Sequence, residues 1–407
     1  MEENNRIQEQ MPNIEDREDN IDIVTTEEKV ENETELVQHD SFEILEYLKE
    51  IVALGGSDVH ILADEHPVYR KTGKIFKSTN YPKISEETII ESIRKILPEK
   101  TLTNTFEEKL QTASDFDFCY EIPNIARFRV NVCERMYKKG MVLRAIPLEP
   151  IPLNKLYLPP ALAKITEFNN GLILVTGPTG SGKSTTLAAL IDLINETQQK
   201  HIISLEDPVE FSYKNKKCII SQRQVEIDTD SFASGVKYAL RQDPDVILIG
   251  EIRDMETLDS ALKAAETGHL VLSTLHTNDA VQTINRIINM YEPEQRPFLR
   301  QQLAATLRAT LAQKLLPTVD GTSRRPACEF LVVTPTIQDL IIKEELESIY
   351  ELVKNGSFNN MITMNMSLYQ LYKAGIITAT TALSASDKKN ELQQMLRGMY
   401  HGVQRER

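Results

Sequence analysis

The fold of this chain is decided by the stretch Leu172–Leu190, which reads LILVTGPTGSGKSTTLAAL. It contains the pattern Gly-x-x-x-x-Gly-Lys-Ser, preceded by the short apolar run Leu172–Val175. Such a run is typical of a buried parallel strand, and from Ser184 onward the apolar residues recur on one face of a predicted helix. A strand, a glycine-rich loop and a helix in this order surround a phosphate chain with backbone N–H groups. The stretch therefore predicts a phosphate-binding loop in a parallel α/β sheet.

The loop residues have distinct roles in this prediction. Lys183 is expected to reach the β- and γ-phosphates of a nucleoside triphosphate, and the Ser184 hydroxyl is expected to ligate Mg²⁺. ATP and Mg²⁺ are accordingly the expected cofactors. The predicted nucleotide-binding residues are Gly177, Pro178, Thr179, Gly180, Ser181, Gly182, Lys183, Ser184 and Thr185.

Length and apolar content limit the class of protein. The chain has 407 residues, which indicates two or three domains, and 41% of its residues are hydrophobic, which is enough for sizeable cores. It contains no run of eighteen apolar residues, which predicts no transmembrane helix. The N-terminus is acidic and polar, unlike a secretory signal, so we expect a cytoplasmic protein with no direct membrane insertion.

The cysteines give no sign of a metal or redox site. The chain has no Cys-x-x-Cys pair, which argues against a zinc knuckle and a dithiol motif. We expect reduced and mostly buried thiols. The four cysteines are Cys119, Cys133, Cys218 and Cys328.

The net charge of −14 is concentrated at the N-terminus. Residues 1–40 hold fourteen Asp or Glu, three Lys or Arg and no aromatic residue, so this segment carries −11 and the rest of the chain only −3. Such a composition cannot bury enough apolar area to offset its ordering entropy, which predicts a disordered acidic extension. The acidic balance and the lack of tryptophan argue against a nucleic-acid partner.

Patterns of helices and strands divide the remaining chain. Residues 41–146 are predicted to form a mixed α/β domain, which begins with a helix capped by Ser41. Residues 147–153 contain three prolines and form a stiff linker. Residues 154–296 alternate short apolar strands with helices, which is typical of a parallel sheet covered on both faces. Residues 297–407 are predicted to be mostly helical.

Polar residues accompany three apolar strands downstream of the phosphate loop. Triphosphate chemistry requires acidic residues at strand ends, where they hold Mg²⁺ and orient water. Glu206 follows the first strand and Glu251 the second, as in a Walker B strand, while polar groups around the third could sense the γ-phosphate. The three segments are Ser204–Glu210, Asp243–Asp254 and Gly268–Asp279.

Four signatures together resemble those of the secretion-type hexameric ATPases, which drive type II secretion, type IV pilus assembly and pilus retraction. Their order and spacing match over about residues 41–398. The resemblance implies an α/β fold in which a smaller PAS-like α/β domain precedes a RecA-like parallel-sheet P-loop ATPase domain, with a helical C-terminal region. The four signatures are Gly177–Ser184, Glu206–Glu210, Gly250–Asp254 and Gly268–His276.

Within that superfamily the chain is most similar to the type IV pilus retraction ATPases. Assembly and type II secretion members usually carry a four-cysteine zinc motif after the Walker B strand, and this chain has none. Retraction motors typically contain a helix Ala-Ile-Arg-Asn-Leu-Ile-Arg-Glu, which here reads TIQDLIIK at Thr336–Lys343 and lacks both arginines. This departure leaves the main retraction motor and an accessory paralogue as alternatives. The segments that carry the similarity are Gly55–His60, Ala126–Val132 and Met361–Thr378.

The resemblance implies roles for the polar residues at the strand ends. Glu206 would polarise the attacking water and Glu251 would orient Mg²⁺ through water, although the two glutamates could exchange these roles. Ser184 and Glu251 are therefore the predicted metal residues. His269 and His276 match the family's histidine box, which links the γ-phosphate to the subunit interface; a buried structural histidine is the alternative for each.

Two arginines of the first domain resemble those that the family inserts at the nucleotide site. Arg129 and Arg144 lie on two predicted strands, and their guanidinium groups would stabilise charge on the transferred phosphoryl group. Arg127 and Arg135 are close enough in sequence to take these places instead. A plain surface role is the alternative for any of the four.

The implied assembly is a homohexameric ring that works on an inner-membrane pilus platform protein, beside a paralogous retraction ATPase if the chain is the accessory motor. ATP hydrolysis would move each first domain against the neighbouring ATPase domain, with the linker as pivot. Three other functions stay open. They are a helicase or packaging ATPase, a ring subunit that binds ATP with little turnover, and an assembly or secretion ATPase without its zinc site.

Overall fold

The structure is a computed structural model that describes residues 39–71, 73–98, 106–146, 148–355 and 360–398. The predicted disordered extension, except for its last two residues, lies outside the described residues, and so does Pro147 of the predicted linker. Along the described ranges, no helix is both long enough and apolar enough to cross a membrane.

The first part of the chain forms an antiparallel sheet with helices packed against it. Its elements are α1 (Ile44–Ala53), β1 (Asp58–Leu62), β2 (Val68–Lys71), β3 (Lys74–Lys77), α2 (Glu86–Ile96), α3 (Phe106–Thr112), β4 (Phe116–Ile122), β5 (Ala126–Arg135) and β6 (Lys138–Ile146). The sheet has the strand order β3-β2-β1-β6-β5-β4. The mixed helix and strand content predicted for this region is confirmed.

Strand β5 shows why this sheet has one buried face. Successive side chains of a strand point to opposite faces, and in β5 the residues Ala126, Phe128, Val130 and Val132 are buried. The intervening arginines therefore lie on the other face. The alternation turns Arg127 and Arg129 away from the core of the first domain.

The first helix begins later than the sequence suggested. Glu43, not Ser41, caps α1, because its carboxylate accepts a hydrogen bond from the backbone N–H of Glu46 at 2.9 Å. An acidic cap at this position also interacts favourably with the helix dipole.

The second part of the chain contains a sheet of seven strands. Its order is β13-β12-β7-β11-β10-β8-β9, and all neighbours run parallel except β12 and β13. Helices cover both faces. Two short 3₁₀ helices, Leu153–Lys155 and Pro160–Glu167, precede it. The elements are β7 (Gly171–Thr176), α4 (Lys183–Thr197), β8 (His201–Glu206), β9 (Ile219–Gln224), α5 (Phe232–Ala239), β10 (Val246–Ile249), α6 (Met255–Glu266), β11 (Leu270–Leu275), α7 (Ala280–Ile288), α8 (Arg296–Thr306), β12 (Leu307–Pro317) and β13 (Arg324–Val332).

Strands β12 and β13 interrupt the region from residue 297 onward, which the sequence predicted to be mostly helical. The sequence LRATLAQKLLP of β12 is rich in helix-forming residues and is almost entirely buried, so it lacks the alternation that identifies a strand. Pairing with β7 makes it a strand, which is a tertiary effect. The seven-stranded sheet therefore extends to residue 332.

The helical character predicted for the C-terminal region is present in α8 and continues after β13. Within the described residues after β13 there are five helices, and those from residue 364 pack around a small core with Leu368, Leu392 and Met395 against β12 and β13. The helices are α9 (Pro335–Lys343), α10 (Leu346–Asn355), α11 (Met364–Lys373), α12 (Ala379–Ala385) and α13 (Lys389–Leu396).

Candidate functional site

The glycine-rich loop turns sharply between β7 and α4. Gly177, Gly180 and Gly182 have φ angles of 141°, 78° and 93°, which residues other than glycine rarely adopt. At Gly177 a Cβ atom would also lie 2.3 Å from the carbonyl oxygen of Gln313 in β12. Only glycine fits there. The loop thereby presents the N-terminus of α4, with its free backbone N–H groups, to the space above the sheet.

Lys183 lies at the first position of α4 and folds back onto the loop. Its Nζ donates to the carbonyl oxygens of Gly177 at 2.8 Å and Pro178 at 3.1 Å. Burial lowers the pKa of this ammonium, while Glu251 and Glu210 oppose the shift. An anionic ligand beside it would favour the charged form further.

Six of the predicted loop residues line a single cavity of about 480 Å³, a volume within the usual range of ligand sites. Gly177, Pro178 and Ser181 do not line this cavity. The buried Oγ of Ser181 has no hydrogen-bond partner within the part of the chain that the structure describes. The six lining residues are Thr179, Gly180, Gly182, Lys183, Ser184 and Thr185.

Glu206 is the last residue of β8 and also lines the cavity. Its side chain is 9% exposed, and its Oε1 accepts hydrogen bonds from Ser204 Oγ at 2.7 Å and Gln222 Nε2 at 3.3 Å. Burial raises the pKa of this carboxyl group, although both hydrogen bonds act in the opposite direction. A carboxyl group with a raised pKa in a cleft is suited to accepting a proton.

Glu251 follows β10 and has a different environment. Its Oε1 lies 3.1 Å from His276 Nε2, and its Oε2 accepts from Arg253 Nε at 2.9 Å. Thr274 Oγ1 in β11 donates to the carbonyl oxygen of Gly250 at 2.7 Å, which joins the two neighbouring strand ends. Both Glu251 oxygens are thus already engaged by side chains from the same edge of the sheet.

The two predicted histidines lie at opposite edges of the sheet. His276 follows the carboxyl end of β11 and lines the cavity, whereas His269 precedes the amino end of that strand. His269 Nδ1 lies 3.0 Å from the carbonyl oxygen of Ala264 and 3.2 Å from Thr267 Oγ1. Within one chain His269 therefore does not line the cavity with the other candidate residues. Its hydrogen-bond contacts to Ala264 and Thr267 stabilise the turn after α6.

Arg129 and Arg144 face each other across β5 and β6 and both line the cavity. Arg129 lies 3.7 Å from Glu210 and 3.6 Å from Asp117, and Arg144 Nε donates to Asp58 at 2.8 Å. The first domain thereby contributes positive charge to the site.

The neighbouring arginines lie elsewhere. Arg127 pairs with Glu121 at 3.6 Å, and Arg135 ends β5 at the far end of the hairpin. Neither lines the cavity, so the structure separates them from Arg129 and Arg144.

Other charged residues line the cavity without having been assigned a role from the sequence. Asp207, Glu210 and Arg253 lie in the quoted segments, and Arg253 lies 3.6 Å from Asp207. Arg324 enters from the start of β13. No local pattern marks Arg324, because its strand was not predicted.

Comparison with known proteins agrees with this geometry. A family model described as "Type II/IV secretion system protein" matches residues 31–367 of the chain. This chain belongs to that family.

Two relatives from Pseudomonas aeruginosa are similarly close to this secretion-family protein. The chain is 38% identical over 340 residues to the "Type IV pilus retractation ATPase PilT", covering 84% of this chain and 97% of that protein. It is 39% identical over 350 residues to the "Type IV pilus ATPase PilU", covering 86% and 90%. Sequence similarity alone thus does not separate the two.

A solved structure shares the fold. "Crystal Structure of the Pilus Retraction Motor PilT and Bound ADP" matches with a TM-score of 0.80 and 42% identity, covering 87% of this chain and all of that one. The ATPase DotB of Legionella pneumophila matches with a TM-score of 0.71 and 28% identity, covering 88% and 97%. The predicted fold class is confirmed.

Proposed function

We propose that this chain is an ATP-hydrolysing, ring-forming motor that drives type IV pilus retraction. The observation that carries the proposal is the single cavity where the phosphate loop, Glu206, Glu251 and two arginines of the first domain converge. The relatives named for pilus retraction support the biological role.

The cavity has the groups that a nucleoside triphosphate requires. The N-terminus of α4 and Lys183 would bind the phosphates, with the ammonium leaving the loop carbonyls to do so. The Ser184 hydroxyl and the Glu251 carboxylate are hard oxygen donors on the same cavity wall, which fits Mg²⁺. When bound, this ion neutralises charge on the phosphate oxygens.

The environments of the two glutamates favour different roles. Glu206 is buried, has a raised pKa and accepts the side-chain hydrogen bonds of Ser204 and Gln222 at one oxygen, which suits a group that polarises the attacking water. Glu251 is bound at both oxygens by His276 and Arg253 and is more suited to orienting bound water near the metal. His276 would report the state of the γ-phosphate through this contact.

Arg129 and Arg144 would stabilise negative charge that develops on the transferred phosphoryl group. Their partners Glu210 and Asp58 hold them at the cavity in this structure. Movement of domain 41–146 about the linker 147–153, relative to the ATPase core that begins at residue 154, would bring them toward the nucleotide or withdraw them. The ATPase core against which the first domain moves is proposed to be that of a neighbouring copy in a homohexameric ring.

The site of action proposed for the ring is the cytoplasmic face of the inner membrane, where a pilus platform protein would receive the work. This partner is proposed from the resemblance to the type IV pilus retraction ATPases; the names of the relatives support only the connection to the pilus and to twitching motility.

A second candidate is the accessory motor of the same system. Two observations favour it: α9 carries Gln338 and Ile342 where retraction motors typically have arginines, and the identity to PilU, 39%, is as high as the 38% identity to PilT. Ile342 is 43% exposed, so this face of α9 presents an apolar side chain in place of a charge.

The first test is steady-state ATPase activity of the purified chain over a range of protein concentrations, beside Lys183→Ala and Glu206→Gln. Turnover that rises with assembly and disappears in both variants would support a ring-dependent motor. A wild-type ring that binds ATP without turnover would refute the autonomous motor and favour the accessory subunit.

A second test separates the two biological roles. The chain is expressed in Pseudomonas aeruginosa that lacks either PilT or PilU, and twitching is scored. Restored twitching in the strain without PilT supports the main motor, whereas restoration only in the strain without PilU supports the accessory role.

A further inference from the structure

The edge strand β9 lies beside β8 and faces the segment that follows Glu206. In the parallel ladder Ser204 pairs with Gln222, and Glu206 pairs with Gln224. Residues aligned in this way point to the same face of the sheet. Gln222 and Gln224 of β9 therefore lie on the same face of the sheet as Ser204 and Glu206 of β8.

Gln222 uses both ends of its amide on the segment after β8. Its Nε2 donates to Phe211 O at 2.7 Å and to Glu206 Oε1 at 3.3 Å, and its Oε1 accepts from the backbone N–H of Tyr213 at 3.0 Å. The amide orientation is thereby determined, because a flipped side chain would present an oxygen to two acceptors.

Ser204 donates to the same carboxylate oxygen from within β8. The distance from its Oγ to Glu206 Oε1 is 2.7 Å, and Ser204 is completely buried. Two donors from two strands thus converge on one oxygen. Together they restrict rotation of the carboxylate. Its position therefore depends on both β8 and β9.

We infer that Gln222 and Ser204 are positioning residues that hold the Glu206 carboxylate in the orientation needed to polarise the attacking water. This inference rests on the proposed function. Neither residue touches the cavity's expected ligand; each acts through Glu206. A carboxylate released from both side-chain donors would keep its chemistry and its backbone contact at Glu210 but would rotate more freely, so that it would be aligned for reaction less often.

Gln224 provides a matched control on the same strand and face. Its Oε1 accepts from Val209 N at 3.4 Å, so it contacts the same segment two residues away from Gln222. It makes no hydrogen bond to Glu206 among the contacts of the described residues. Loss of Gln224 therefore tests the effect of loosening the segment without releasing the carboxylate.

The experiment compares ATP turnover in the full chain and in Gln222→Leu, Ser204→Ala and Gln224→Leu, with thermal unfolding as a check on folding. We expect kcat to fall about tenfold or more in the first two variants, since each loses a hydrogen bond to a charged group. The KM for ATP should change less than about twofold, because phosphate binding is untouched. Gln224→Leu should retain nearly the wild-type kcat.

The double variant Ser204→Ala/Gln222→Leu adds a test of shared action. Its loss in kcat should be smaller than the product of the two single losses, because both donors act on one oxygen. Ser204→Ala removes a single buried hydroxyl and keeps all contacts of Gln222, so it tests the inference even if Gln222→Leu fails to fold.

Two outcomes would overturn the inference in different ways. An active wild type with an unaffected Ser204→Ala, and with equal losses in Gln222→Leu and Gln224→Leu, would assign the glutamines to loop structure alone. A wild-type chain that binds ATP and Mg²⁺ without turnover would refute the proposed function, and the positioning role with it.

Discussion

A methyl group added to the phosphate loop should have very different effects at Gly177 and at Gly180. Both residues have positive φ, at 141° and 78°. The Cβ of an alanine at Gly177 would lie 2.3 Å from the carbonyl oxygen of Gln313 and 2.6 Å from Ser181 Oγ, whereas at Gly180 no atom lies within 4 Å. Gly180→Ala is therefore a control that places a side chain at positive φ without a steric clash.

The expected destabilisation follows from these distances. A positive φ costs an L-residue about 1–2 kcal/mol, and the smaller entropy of the unfolded chain offsets ~0.4–1 kcal/mol of this. A clash with a fixed carbonyl in a packed sheet adds about 1–3 kcal/mol. We expect the free energy of unfolding to fall by about 1 kcal/mol in Gly180→Ala and by ~2–4 kcal/mol in Gly177→Ala.

Urea denaturation measures this difference in the free energy of unfolding, from the transition in which the seven-stranded sheet unfolds. Binding of a fluorescent ATP analogue measures the effect on the nucleotide site. Gly177→Ala should also displace β12 or the loop and weaken binding more than Gly180→Ala does. Equal losses of stability in the two variants would refute the close approach of β12 to the loop.

Three further predictions concern charge and metal. Burial raises the pKa of Glu329, which bonds to the N-termini of α7 and α11, from 4.5 to about 7. The neutral form is thus favoured by folding, and about 3 kcal/mol of stability should be lost as pH rises from 4.5 to 7; urea denaturation should show a flatter profile in Glu329→Gln. Arg129→Ala should lower kcat about tenfold or more, whereas Arg127→Ala, outside the cavity, should leave it unchanged in the same ATPase assay. EDTA should abolish turnover, and Ser184→Ala should raise the Mg²⁺ concentration for half-maximal activity about tenfold.

The phosphate loop could be predicted from sequence because all its determinants are contiguous. The strand, the glycines with positive φ and the helix lie within Leu172–Leu190, and each follows from local sterics or hydrophobic periodicity. The strands that carry Glu206 and Glu251 were found in the same way, as short apolar runs that end in polar residues.

The strands β9, β12 and β13 could not be found by these signals. β9 is a polar edge strand, and β12 is buried along most of its length and contains helix-forming residues. Their strand geometry comes from pairing with other strands: β9 pairs with β8, β12 pairs with β7, and β13 pairs with β12. Arg324 and Gln222 were missed together with the strands that hold them.

The sequence by itself determined that this chain has a phosphate loop, a parallel sheet with acidic residues at its strand ends, and four arginines that are candidates for the site. Only the tertiary structure decided which candidate residues line the same cavity. The register of β5 and β6 brings Arg129 and Arg144 to the cavity, and the direction of β11 separates His269 from His276. Local patterns depend on neighbours within a few residues. These placements depend on pairing between segments that are distant in sequence, and a short stretch of sequence carries no information on the loop-closure entropy or the packing of such pairs.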